Sequence, residues 1–192
     1  MQGTGVILAG GKSSRMGTDK SLLTIYGKSA ITHVTEELKK CSSQTTVITN
    51  NPASHTFLGI DMYTDRYKDM GPLAGIESGL YHSNSDVCLF AACDMPFIDQ
   101  SIYHLLYQSL ENVDAVIPVY NERMHPLAGI YKKQVLPQVQ CLLHHDERKV
   151  RTLFKYINVR YVSHYKNIPD QKLEKHFFNM NDPAQYEKSK QL

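Results

Sequence analysis

The chain has 192 residues, enough for one well-buried domain and short for two independent ones. Hydrophobic content of 42% and charged content of 21% are ordinary for a soluble globular protein, and a net charge of +2 is too balanced to argue for nucleic acid. No apolar run approaches the roughly 20 residues that cross a bilayer, and the segment after Met1 lacks the basic and apolar regions of a signal peptide.

In chain order, Val6 to Ala9 predicts a buried first strand, followed at once by Gly10-Gly11 and a loop rich in hydroxyls and cations. Ile31, Val34, Leu38 and Cys41 recur at helical spacing; Thr45 to Thr49 is a β-branched strand that Asn50-Asn51-Pro52 breaks. Ile60 to Thr64 is a shorter strand, and Gly71-Pro72-Leu73 opens a helix toward Tyr81, with proline suited to its first turn. Val87 to Cys93 is continuously apolar, as a strand covered on both faces must be, and stops at Asp94-Met95-Pro96. Ile102 to Leu110 reads as a helix and Ala115 to Val119 as a strand. Residues 120 to 126 read as a loop, Leu127 to Tyr131 as a strand, Val135 to Leu143 and Val150 to Tyr156 as helices, and Val159 to Val162 as a strand. Lys166 to Leu192 is a polar tail interrupted by Phe177-Phe178-Asn179-Met180-Asn181-Asp182-Pro183. Strands alternating with helices predict an α/β fold, and the lack of repeats or linkers makes one domain, 1–192, the simplest account.

The four cysteines (Cys41, Cys88, Cys93, Cys141) fall in or beside apolar patterns with no CxxC pair. They read as small buried hydrophobes of a reducing compartment, so the expected location is cytoplasmic.

The chemistry concentrates in Gly3 to Lys20. Glycines let backbone N–H groups approach a phosphate, and Lys12, Arg15 and Lys20 supply charge behind them. The spacing is neither a P-loop, because Val6 stands five before Gly11, nor the dinucleotide G-x-G-x-x-G. Asp94 ends a central strand, where ligands of parallel sheets sit, and is suited to Mg2+ beside phosphates or to capping the next helix. Asp65 could read a ribose or base, or cap a turn. Gly71, Gly75 and Gly79 share one helix face, which suits close approach of another backbone or of a flat ligand. His125 in its loop and Asn179-x-Asn181 are weaker signals, and no Ser-His-Asp or Cys-His constellation is present.

At these residues the chain resembles the molybdenum cofactor guanylyltransferases, a branch of the glycosyltransferase-A-like nucleotidyltransferases. Leu8-Ala-Gly-Gly-Lys-Ser-Ser-Arg-Met-Gly-Thr-Asp-Lys20 is similar to that family's signature. Further matches are Asp65 before Gly71-Pro72-Leu73-Ala74-Gly75, then Cys93-Asp94-Met95-Pro96, His125-Pro126-Leu127 and Asn179-Met180-Asn181-Asp182-Pro183. Asp182 departs from the threonine frequent in the family. The resemblance implies a three-layer, Rossmann-like fold with a mainly parallel central sheet, a nucleotide-binding half about 1–100 and an acceptor-binding half about 101–192.

It further implies transfer of GMP from GTP to Mo-molybdopterin with release of pyrophosphate. Leu8, Ala9, Gly10, Gly11, Lys20, Asp65, Gly75 and Asp94 would bind GTP; Arg15, Lys20 and Asp94 would be catalytic, with Asp94 the Mg2+ ligand. His125, Asn179 and Asn181 would hold the pterin. Molybdopterin-handling proteins and molybdoenzyme chaperones are the implied protein partners, with neither nucleic acid nor membrane. Gly10-Gly11 favours guanine over cytosine, since cytidylyl-transferring relatives tend to carry alanine first. The competing expectations are a cytidylyltransferase on the same pterin, a sugar-phosphate guanylyltransferase, and a GTP-binding adaptor without turnover.

Overall fold

The computed structural model describes residues 1–10 and 19–192. The strands are β1 (Thr4–Leu8), β2 (Thr24–Ile25), β3 (Lys28–Ser29), β4 (Gln44–Ile48), β5 (Asp61–Tyr63), β6 (Val87–Ala92), β7 (Ala115–Tyr120), β8 (Arg123–Met124), β9 (Ile130–Lys132) and β10 (Val159–Val162). The helices are α1 (Ala30–Lys39), α2 (Gly71–His82), α3 (Gln100–Gln108), α4 (Leu136–His144), α5 (Val150–Leu153), α6 (Asp170–His176) and α7 (Pro183–Ser189).

The main sheet runs β10-β7-β9-β6-β1-β4-β5. Strands β6, β1, β4 and β5 are mutually parallel, as are β10 and β7. Strand β9 lies between the two groups, antiparallel to both β6 and β7.

Side chains of successive strand residues point to opposite faces, and each face has its own core. Ile7, Val47, Leu89 and Ala91 pack with Ile31, Val34 and Leu38 of α1 and Ile102 and Leu106 of α3. Val6, Leu8, Cys88 and Phe90 pack with Leu73, Ile76 and Leu80 of α2 and Val139 and Leu143 of α4. This is the expected three-layer α/β arrangement. Burial on both faces is why β6 reads as an unbroken apolar run.

The second half departs from expectation in identifiable ways. The strand expected at Leu127 to Tyr131 begins only at Ile130, because Pro126–Ala128 closes a 3-10 turn in which the Ala128 N–H donates to the His125 carbonyl at 3.0 Å. The expected loop 120–126 contains a hairpin: Tyr120 pairs with Arg123 across Asn121 and Glu122, at φ 47° and 61°. Positive φ at both central residues is the twist-compatible two-residue turn. The helix expected to reach Tyr156 ends at Leu153. Within the polar tail, α6 and α7 form; Asp182 Oδ1 accepts from the Gln185 N–H at 2.8 Å, and Pro183 occupies the first turn of α7. Asp and Thr are both good N-caps, so aspartate at 182 serves the helix as a threonine would.

A third small core joins distant parts of the chain. Met180, fully buried, packs with Ile25 and Ala30, against Phe97, Phe178 and Tyr186. Cys41 and Cys88 are buried as expected, and burial pushes their thiols up to about 12 and about 11. Cys93 is half-buried; Cys141, expected inside, is exposed, because it sits on the outer side of α4 while Val139 and Leu143 face the core.

Candidate active site

The carboxyl ends of β1, β4 and β6 lie side by side: Leu8 is in register with Ile48 on one flank and Ala92 on the other. The ladder continues one residue further, the Ala9 N–H donating to the Ile48 carbonyl at 2.9 Å and the Cys93 N–H to the Leu8 carbonyl at 3.1 Å. Leu8 is buried, Ala9 half-buried and Gly10 exposed, so the chain leaves the sheet at Gly10. Gly11 and Arg15, expected to bind GTP and its phosphates, lie outside the described residues.

Asp94 stands two residues beyond the end of β6, with Cys93 between them. It does not cap the next helix: Asp99 does, its Oδ1 accepting from the Ser101 N–H at 2.8 Å. Burial raises the Asp94 carboxyl above its ordinary value, opposed by the positive charge of Lys20 and by a backbone hydrogen bond. A carboxylate that has lost its water at a strand end favours a cation.

Lys20 opens a 3-10 turn, Lys20–Leu22, whose cap is Asp19: its Oδ1 accepts from the Ser21 N–H at 3.0 Å. The Lys20 Nζ donates to the Asn181 carbonyl at 2.9 Å. One residue earlier, the Met180 N–H donates to the Asp94 carbonyl, also at 2.9 Å. Segment 179–181 thus bridges Lys20 and Asp94 through its backbone, a role the side-chain pattern Asn-x-Asn does not disclose.

Asp65 follows β5 and pairs with Asn50 at the end of β4. The Asn50 Nδ2 donates to Asp65 Oδ2 at 2.8 Å, and the Asp65 N–H returns a bond to Asn50 Oδ1 at 3.3 Å. Burial raises the Asp65 carboxyl, and its Oδ1 is buried without a hydrogen-bond partner among the described residues. Such an oxygen awaits a donor. A Cβ built on Gly10 would lie 3.4 Å from Asp65 Oδ2, and one on Gly75 3.8 Å from Oδ1, so both glycines flank this carboxylate. Asn50, which the sequence marks only as a strand breaker, belongs to the site.

The other two glycines of α2 have different reasons. Gly79 packs against the sheet, where a Cβ would meet Val6 Cγ1 at 2.7 Å and Phe90 Cε1 at 2.8 Å. Gly71 has φ +67°, the left-handed region that favours glycine, at the start of the helix. Glu77 of α2 is fully buried and receives the Arg66 Nη1 at 2.5 Å and the Gln140 Nε2 at 2.9 Å. The Arg66 N–H donates to Ser78 Oγ at 2.9 Å, so the residue after Asp65 is clamped to α2 at both backbone and side chain.

His125 is half-buried rather than solvated, and its ring lies 4.6 Å from that of Phe177, which stacks on Tyr120 at 4.9 Å. Burial lowers its imidazole. The Asn179 Nδ2 donates to the Phe177 carbonyl at 3.1 Å, and Asn181 is exposed. His125 and Asn179 are therefore linked through Phe177, while Asn181 meets Lys20.

A mixed but mainly parallel sheet between two helical layers, with Lys20 and Asp94 tied through residues 180 and 181 beside the central strand ends, is an architecture that suits a nucleotidyltransferase. The model of the MobA-like NTP transferase domain matches residues 5–164, and the chain belongs to that family. It is 33% identical over 186 residues to a protein of Carboxydothermus hydrogenoformans named "Probable molybdenum cofactor guanylyltransferase", covering 96% of this chain and 93% of that one. It is 32% identical to the molybdenum cofactor guanylyltransferase of Vibrio parahaemolyticus, covering 97% and 94% of the two chains. The crystal structure of molybdopterin-guanine dinucleotide biosynthesis protein A from Archaeoglobus fulgidus superposes with a TM-score of 0.84 at 26% identity, over 98% of this chain and 97% of that one.

Proposed function

We propose that this protein transfers GMP from GTP to the terminal phosphate of Mo-molybdopterin, forming molybdopterin guanine dinucleotide and releasing pyrophosphate. The observation that carries the reading is the meeting of Lys20 and Asp94 through segment 179–181, in a chain of this family. A phosphate oxygen of the acceptor forms a bond to the α-phosphorus as the bond to the β-phosphate oxygen breaks. Such a reaction calls for alignment and charge neutralisation, and needs no covalent nucleophile.

Leu8, Ala9 and Gly10 offer backbone to the nucleotide where β1 ends. Lys20 neutralises phosphate charge. Asp65, braced by Asn50, accepts from the guanosine through the oxygen that has no hydrogen-bond partner among the described residues. His125, Asn179 and Asn181 face the pterin.

The donor set fits Mg2+: with a nucleotide, this ion takes one or two carboxylates and fills its shell with phosphate oxygens and water. Among the described residues no cluster of three or more His, Cys, Asp or Glu builds a dedicated cage, so a single desolvated carboxylate, Asp94, would hold the ion against the phosphates. When bound, Mg2+ would supply charge stabilisation at the α-phosphate and the departing pyrophosphate.

No helix among the described residues is long and apolar enough to cross a membrane. Four unpaired thiols support a reducing, cytoplasmic setting. The deciding experiment is incubation with GTP, Mg2+ and a molybdopterin-loaded extract, followed by identification of the product. A guanine dinucleotide and pyrophosphate are expected; a product formed only from CTP, or tight GTP binding without pyrophosphate, would overturn the assignment.

A further inference from the structure

His55 is fully buried in the 3-10 segment Pro52–Leu58, yet it is a polar residue with both ring nitrogens engaged. Its Nδ1 lies 3.1 Å from the Asn51 carbonyl, and its Nε2 lies 2.8 Å from Ser21 Oγ. Ser21, also fully buried, donates its hydroxyl to Asp19 Oδ1 at 2.6 Å, and Asp19 Oδ2 stands 3.9 Å from His55 Nε2. The Asn51 carbonyl can only accept, so Nδ1 carries a hydrogen. Nε2 stays within hydrogen-bond distance of the Ser21 hydroxyl, which also reaches Asp19 Oδ1.

These contacts join two pieces of the site that are far apart in sequence. On one side, Asp19 and Ser21 flank Lys20 and form its turn. On the other, Asn51 follows Asn50, whose amide holds Asp65. Buried polar networks with satisfied partners fix geometry more than they add stability.

We propose that His55 is a positioning residue that sets the span between Lys20, on the phosphate side, and the Asn50–Asp65 pair, on the nucleoside side. The proposal rests on the assignment of Lys20 to the phosphates. The ring acts through its neighbours: loss of the Ser21 bond frees the lysine turn, and loss of the Asn51 bond frees the nucleoside wall. The two ends can be cut separately, because the amide of asparagine stands near the Nδ1 position and that of glutamine near the Nε2 position.

The test is steady-state guanylyl transfer by Ser21→Ala, His55→Asn and His55→Gln, with Lys20→Ala in parallel and rates corrected for folded fraction by circular dichroism. Ser21→Ala and His55→Asn are expected to lose at least fivefold in kcat with the GTP KM within twofold. His55→Gln is expected to show the opposite split, with the loss moved to a GTP KM raised at least threefold. Ser21→Ala keeps the proposal falsifiable should the buried histidine variants fail to fold. Wild-type kinetics in Ser21→Ala, or equal losses in every folded variant, would overturn the strut; a Lys20→Ala enzyme of normal turnover would overturn it together with the site assignment. If Lys20→Ala loses at least tenfold while the other variants match wild type, the site stands and the strut falls.

Discussion

Lys20 and Asn181, 161 positions apart, are joined by a 2.9 Å hydrogen bond from the ammonium to the backbone carbonyl. Because the acceptor is the carbonyl, Asn181→Ala leaves it in place. The expected result is weakened use of the pterin with GTP affinity within twofold of wild type by calorimetry. A large loss of GTP affinity would mean that the Asn181 side chain, and not its carbonyl, serves the nucleotide side.

Asp94→Asn should abolish Mg2+-dependent pyrophosphate release and at the same time stabilise the empty protein. Burial raises the folded-state value of this carboxyl, so between its unfolded and folded values the native state binds the extra proton. Stability therefore falls as pH rises through that interval, and at neutral pH the ionised Asp94 is a cost. Relief of that cost is expected as a rise in Tm. Thermal melts at pH 7 without metal check the gain; a lowered Tm would contradict it.

Arg66→Ala removes the cation that faces the buried Glu77 carboxylate and leaves it with Gln140 and Ser78. Breaking a buried pair from one side costs about 3–5 kcal/mol; Arg66 is partly exposed, so the lower end is expected. Urea unfolding measures it. Glu77→Gln, which removes the charge but keeps a polar group, should cost less than Arg66→Ala.

Gly79→Ala and Gly75→Ala should separate folding from ligand binding. At 79 the new methyl meets Val6 and Phe90 below 3 Å, an overpacking of about 1–3 kcal/mol that exceeds the helical gain of about 1 kcal/mol. At 75 the nearest atom is the flexible Leu8 Cδ2 at 3.1 Å, with Asp65 Oδ1 at 3.8 Å. Gly75→Ala should melt within a few degrees of wild type and lose GTP affinity; unchanged affinity would remove Gly75 from the nucleotide site.

His176 provides a pH signature. It is buried, its Nδ1 accepts from the Asp99 N–H at 2.9 Å, and burial pushes its pKa down from 6.5 to about 3. Between those values the unfolded chain binds the proton and the native one does not, so stability rises with pH there and is lost as the solution is acidified. His176→Asn, which can keep the acceptor and does not titrate, should show a shallower acid loss in urea titrations from pH 6.5 downward. Parallel curves for the two proteins would contradict this origin.

Much of residues 1–100 was legible because the signals there are local. Val87 to Ala92 advertises a strand covered on both faces, and Asp94 gains meaning from standing at its end. What escaped was set by tertiary pairing. Strand β9 is three residues long and takes its place from β6 and β7, not from its own pattern. Asn50 looked like punctuation until Asp65, 15 residues later, was seen to face it. Backbone groups carry no residue code, so the junctions at Met180 and Asn181 could not be read from side-chain types. The alternation of Gly71, Gly75 and Gly79 suggested one cause where there are three.

The tethering of Lys20 to residue 181 and of Asp94 to residue 180 also bears on how the protein is made. Lys20 and Asp94 leave the ribosome well before the segment that joins them, by on the order of ten seconds at ordinary elongation rates. A growing chain thus has a sheet to fold but no assembled centre with which to spend GTP. On the proposed assignment of Lys20 and Asp94, the site closes only after residues 180 and 181 have been made.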